Sequence, residues 1–306
     1  GGAGGGMPAA ASARRVGQWT LAVGQSAGKR RVVELWLARC VSQPPHGFAD
    51  ARVLICPGNE HLSGAAAAYF PRGWHPLLGA AQPPWQASSA WCGMEAGEGM
   101  LYPSQCVDGI VDRLGGATYR ADLHAYIRAK DSGEAGASLH GDLCKRDSDI
   151  LCETGQARGV PSPAASELRA LYAHVVHTAT PIWPRTGEDG PEAHSQWRER
   201  LASCYRASLS EVGAFAMPGA TRPAALKQLH VELDVVVPLL GAGTHGAPLH
   251  AAAAVAADAA SEWLNGTAQP GDMSELCRVR WLVQSAETGA VVEQCLTTTL
   301  GNPDEA

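Results

Sequence analysis

The chain has no Cys-x-x-Cys pair. Its nine cysteines are odd in number and scattered without paired spacing. Neither the usual zinc knuckle nor a disulfide framework is encoded that way, and a reduced compartment fits better. Basic charge is in short supply too. Lys and Arg number 24 against 30 Asp and Glu, for a net charge of −6. Attraction to a phosphate backbone is therefore not expected as its main business, and no nucleic-acid partner is predicted. No apolar run approaches the roughly 20 residues of a membrane helix. The opening "GGAGGGMPAAASARR" lacks the apolar stretch of a secretory signal. The expectation is an intracellular protein of cytoplasm or nucleus without a membrane partner. Arg14 and Arg15 leave an organelle address open. The oligomeric state is left open, and no internal repeat is visible.

The 306 residues suffice for one large domain or two small ones. Residues 1–15 read as a flexible N-terminus, with 1–6 a glycine-rich lead, and residues 16–306 as one domain. Apolar, β-branched runs predict strands at 18–23, 30–41, 51–59, 173–179, 229–237 and 276–284. "GQSAGK" between the first two reads as a hairpin-like turn. Helices are predicted at 105–116, 120–130, 192–214, 249–264 and 289–300, the fourth ending at Asn265 and Gly266. Residues 166–172 read as loop. Two spans, at about 63–104 and 117–150, read as insertions; the first is rich in Ala, Gly, Pro and Trp. Strands and helices alternate over the second half, which argues for an α/β sandwich around a mixed sheet.

The stretch "PLLGAGTHGAP" (238–248) joins the strand "VELDVVV" to the helix "LHAAAAVAADAASEWL". A glycine-rich turn from strand to helix lets backbone N–H groups approach an anion. A plain connecting loop is the alternative.

Four segments in order carry a resemblance: "VLICPGNEHLSG", "CVDGIVDRLGG", "CETGQA" with "AHVVHTATPIW", and "PLLGAGTHGAP" preceded by "ASCYRASL". Together they resemble the macro domain, a family that binds ADP-ribose. The resemblance implies a three-layer α/β/α sandwich with a central mixed β-sheet. It implies ADP-ribose or an ADP-ribosyl compound as partner. Gly241, Ala242, Gly243, Thr244, His245 and Gly246 would then wrap the diphosphate with main-chain amides. Such donors converge without Cβ obstruction, so a negative protein is no obstacle.

The same resemblance makes Asn59 the residue that hydrogen-bonds the distal ribose, an amide both donating and accepting. Asp108 matches an aspartate near the anomeric carbon, where a carboxylate orients or deprotonates water. Their alternatives are a turn residue for Asn59 and a helix N-cap for Asp108. His245 stands where the family has Phe or Tyr; an imidazole packs on a sugar and also titrates or ligates. His177 and Cys152 are expected in the core.

Departures accompany the match. The glycine run before "VDG" is replaced by "YPSQC", Cys56 replaces the first Asn of the family's "NAAN", and no "GDIT" is present. Glu34 lies in that last region, but the adenine-recognising residue is not identified. A transition metal is considered through His61, Cys106 and His245, with Cys92 nearby in sequence. Three readings follow: a hydrolase acting on an ADP-ribosylated residue, O-acetyl-ADP-ribose or ADP-ribose 1″-phosphate; a non-catalytic ADP-ribose reader; and a metal-dependent phosphodiesterase or phosphatase.

Overall fold

A computed structural model describes residues 13–22, 30–38, 40–42, 44, 52–64, 106–132, 150–184, 190–216, 233–266 and 277–304. The "GQSAGK" turn, Cys92 and most of the span 63–104 lie outside them. Seven strands form one sheet: β1 (Arg14–Ala22), β2 (Arg30–Leu37), β3 (Arg52–Gly58), β4 (Ala157–Pro161), β5 (His174–Ala179), β6 (Leu233–Pro238) and β7 (Cys277–Val283). Their order is β1-β2-β7-β6-β3-β5-β4. β2, β7, β6, β3 and β5 run parallel, and the outer strands β1 and β4 are antiparallel to their neighbours. The mixed sheet of the sequence reading is thus present.

Six helices flank it: α1 (Val107–Gly115), α2 (Tyr119–Ser132), α3 (Glu167–Leu171), α4 (Pro191–Ala216), α5 (Leu249–Leu264) and α6 (Ala286–Leu300). Two apolar clusters show the layering. One joins β2, β3, β6 and β7 to α4, α5 and α6; the other joins the opposite sheet face to α1, α2 and α3. The result is a three-layer α/β/α sandwich. α5 fits tightly because its buried face is mostly alanine, while Trp263 closes its end with no exposure. Cutting such a tryptophan to alanine costs roughly 3–5 kcal/mol. No helix of the described residues is long and apolar enough to cross a membrane.

The structure revises several expectations. β1 begins at Arg14, pairing with Leu37, so residues 14 and 15 belong to the sheet and not to a flexible end. Residues 166–172 are not a plain loop: Ser166 accepts from Arg169 N and caps α3. β4 was not expected. Within 117–150, α2 packs Tyr119, Leu123 and Ile127 into the core. The helix predicted at 249–264 has the observed bounds of α5, closed by Asn265 and by Gly266 at φ 77.

Charge is buried inside one sheet face. Arg280 lies 2.8 Å from both Glu34 Oε2 and Asp234 Oδ2, and Arg52 Nε lies 3.4 Å from Asp234. Trp36 Nε1 also donates to Glu34, at 2.8 Å. The carboxylate considered for the base-binding region is therefore committed to the sheet interior.

Candidate functional site

The carboxyl ends of parallel strands lose ladder partners together, and clefts form there. In this chain a cleft of about 200 Å³ opens at that edge. β2 ends at it with Ala38, Cys40 and Val41, β3 with Pro57, and β7 with Leu282, Val283 and Gln284. Cys106 and Val107, where α1 starts, form another wall. Thr180 follows β5 into the cleft, and Thr288 enters from the first turn of α6. No Asp, Glu, Lys or Arg lines it among the described residues.

The loop after β6 supplies most of the wall through Gly241, Ala242, Gly243, Thr244 and His245. Its shape follows from its glycines and anchors. Gly241 and Gly246 have φ of 80 and 74, in the left-handed region that favours glycine. Tyr205 Oη, buried on α4, accepts from Leu240 N at 3.0 Å. Ala247 N donates to Gly241 O and Gly246 N to Gly243 O, at 3.1 and 2.9 Å. His245 O accepts from Trp183 N at 2.9 Å. Five consecutive N–H groups, from Gly241 to His245, take no acceptor among the described residues. Such a run of unpartnered amides ahead of a helix suits an anion. Gly246 differs from its neighbours: its N–H is spent inside the loop, and it does not line the cleft.

His245 is half-buried, with Nδ1 3.1 Å from Thr180 Oγ1. Burial lowers its pKa below the ordinary histidine value, partly offset by hydrogen bonds and by the negative charge of Asp108.

Asn59 sits in the turn after β3. Its Oδ1 accepts from Ser63 N at 3.2 Å and its Nδ2 donates to Ser63 Oγ at 3.1 Å. The amide thus closes its own turn and does not line the cleft. Asp108 is buried in the first turn of α1 beside the cleft residue Val107. It is not the N-cap: Cys106 holds that place, its Sγ accepting from Gly109 N at 3.4 Å. Asp108 Oδ1 accepts from Arg120 Nη2 at 2.5 Å, and the Cys56 thiol lies 3.5 Å away. Arg120 also pairs with Asp112 and donates to Leu62 O.

His177 and Cys56 are cross-strand partners on β5 and β3, both with no exposure. His177 Nε2 meets Tyr119 Oη at 2.7 Å, while Nδ1 is buried with no partner. Burial first, and then Arg120, pull this imidazole down to about 3. Burial lifts the Cys56 thiol well above its ordinary range, with Asp108 adding to it. One donor atom each from Cys56, Asp108 and His177 lie within 4.8 Å of one another, a buried group able to coordinate a metal ion. The metal donors considered from sequence are placed differently. His61 is exposed, Cys106 caps α1 with its thiol pushed up to about 12 by burial, and His245 pairs with Thr180. Cys152 is packed as expected, lifted to about 11 by burial.

Sequence reading missed Thr180, Tyr205 and Arg120, which hold His245, the loop and Asp108. None stands within a glycine-rich or acidic motif that would announce it. Only their types, a hydroxyl after "HTA", a tyrosine in "SCYRA" and an arginine opening a helix, were signals.

A family model described as the macro domain matches residues 95–256, more than half of the chain. Among solved structures, the chain is similar to the Oceanobacillus iheyensis macrodomain with ADP, at 14% identity, covering 92% of this chain and 96% of that one, TM-score 0.45. It is similar to the Trypanosoma brucei macrodomain in complex with ADP-ribose, at 15% identity over 86% and 68% of the two chains, TM-score 0.42. A third is the macro domain of ganglioside induced differentiation associated protein 2, at 14% identity over 91% and 87%, TM-score 0.49. No curated protein matches the chain.

Proposed function

The chain belongs to the macro domain family, and from that premise we propose that its cleft binds ADP-ribose or an ADP-ribosyl group. The observation that carries this reading is the run of five main-chain N–H groups, Gly241 to His245, without acceptors in a cleft that presents no acidic side chain among the described residues. A diphosphate needs several donors at once. Amides held by the chain supply them without side-chain ordering cost. The half-buried His245 would pack beside the distal sugar.

Hydrolysis of an ADP-ribosylated residue, O-acetyl-ADP-ribose or ADP-ribose 1″-phosphate is a second reading. Asp108 favours it: it does not line the cleft, but it is the chain neighbour of the cleft residue Val107 and within electrostatic reach of His245. A carboxylate there orients water at the anomeric carbon. Its contact with Arg120 holds the side chain in place. Asn59 would reach the ribose only by leaving Ser63, so it contributes less to the simple binding reading.

Calorimetric titration with ADP-ribose, followed by incubation with the three derivatives with and without chelator, tests both. Binding without turnover supports a reader. Turnover that survives chelation and is lost in Asp108→Ala supports the hydrolase. Turnover lost on chelation supports the metal-dependent phosphatase. No binding at millimolar ADP-ribose overturns the proposal.

A further inference from the structure

Among the described residues, His245 is the one cleft-lining side chain of a type that titrates near neutrality. Its neighbours set its position. Trp183 N donates to its carbonyl at 2.9 Å. Its Nδ1 lies 3.1 Å from Thr180 Oγ1. Thr180 is itself fixed: it is 5% exposed, and its N–H donates to Gly58 O at 3.3 Å, at the end of the β3–β5 pairing. The imidazole is thus placed by the sheet and not left to the loop alone.

The surroundings of the ring decide which nitrogen is open. Nδ1 is engaged with the Thr180 hydroxyl, and Nε2 meets no described side chain. Main-chain hydrogen bonds to Thr180 and Pro181 favour a ring that carries its proton, and so does the negative charge of Asp108. With the Nδ1 proton donated to Thr180 Oγ1, Nε2 is left as an acceptor. That is the arrangement of a base oriented through its second nitrogen.

The rest of the cleft offers no rival. No Asp, Glu, Lys or Arg lines it among the described residues. Cys106 caps α1, and burial pushes its thiol up to about 12. Cys40 Sγ accepts from Ser42 N and Oγ, at 3.4 and 3.0 Å. His245 also closes the run of unpartnered amides, on the side of Thr180 and β5. A sugar beyond the diphosphate on that side would lie beside the ring.

We propose that His245 is the general base of the cleft and Thr180 the positioning residue that aims it. This inference rests on the hydrolase reading. Nε2 takes a proton from water as the water oxygen bonds to the anomeric carbon. The bond from that carbon to the leaving oxygen breaks, and its electron pair departs with a carboxylate or a phosphate. Such anions need no proton, so one base suffices. The charge of Asp108 stabilises the imidazolium, which then returns its proton to solvent.

The test assays the full chain on ADP-ribose 1″-phosphate and on a peptide ADP-ribosylated through a carboxylate, with chelator present throughout. kcat of the unaltered chain should fall along a single acid limb between about pH 8 and about pH 5. His245→Phe should lose about 100-fold or more in kcat, the usual reach of general-base catalysis. It should keep its ADP-ribose affinity at pH values above that limb. Thr180→Val should lower kcat measurably, by up to about 100-fold, with KM unchanged. It should also move the acid limb to lower pH, because an acceptor of the imidazolium is gone. Thr180→Ser should restore both. A kcat that stays flat across this pH range overturns the proposal without any variant. So does a His245→Phe chain that turns over at the unaltered rate. Absence of turnover in an unaltered chain that binds ADP-ribose overturns it too, and leaves the binding reading standing. An unaltered chain that binds no ADP-ribose overturns the binding reading itself.

Discussion

Arg120 Nη2 lies 2.5 Å from Asp108 Oδ1, behind the wall of the cleft, while the same guanidinium pairs with Asp112 through Nε. The first turn of α1 is thereby tied to the first turn of α2. Arg120→Met should leave the buried Asp108 carboxylate without its guanidinium, and breaking such a pair costs about 3 kcal/mol or more. Urea denaturation checks this. A midpoint equal to that of the unaltered chain would mean that the pair contributes nothing.

Gly243 lines the cleft in the middle of the unpaired amides. Gly243→Glu should put a carboxylate where the diphosphate is to sit. ADP-ribose affinity should drop more than about 100-fold, since apposed like charges cost several kcal/mol. Stability should change by no more than about 0.5 kcal/mol, as for other partly exposed loop positions. Calorimetry and thermal melting together make the check.

His245 gives binding a pH dependence with a definite sign. Burial holds its pKa below the ordinary value in the free protein. A bound diphosphate raises it again, so binding takes up a proton. Affinity should therefore increase as pH falls through the bound-state value toward the lower free-state value, by at most about tenfold per pH unit for one proton. His245→Phe should bind with the same affinity across that range. Isothermal titration in two buffers of different ionisation enthalpy reads the proton directly.

The legible parts of the chain were those with length and punctuation. α5 was read with its observed bounds because Pro248 precedes it and Asn265-Gly266 follows. The turn between β6 and α5 was legible from three glycines between a strand run and a helix run. β4 and α3 are five residues each, too short for a period to emerge, and β4 closes on Pro161. Side-chain commitments were not legible at all. Glu34 lies in the region of the missing "GDIT" in sequence, yet Arg280, 246 positions away, holds it in the sheet. Asn59 looks like a ribose ligand, yet Ser63 is four residues away and claims it first. The group of Cys56, Asp108 and His177 was hidden for the same reason, since only strand register sets Cys56 beside His177.

One buried histidine, His177, and one half-buried, His174, set the acid limit of the fold. Burial lowers His177 to about 3 and His174 to about 4, with Arg120 and Arg169 as the secondary causes. In the unfolded chain both take a proton near pH 6.5. The unfolded state thus binds more protons below that value, and stability drains as pH falls from about 6.5 toward about 3. Urea midpoints measured at steps of pH should decline across this window. His177→Gln should flatten the lower part of the decline.

The central claim is that main-chain amides of residues 241–245 hold a diphosphate, and amide NMR during an ADP-ribose titration tests it most directly. Saturable shifts at Gly241, Ala242, Gly243, Thr244 and His245, with slowed exchange of those protons, are the predicted result. ADP-ribose that binds while these five amides stay unmoved would contradict it.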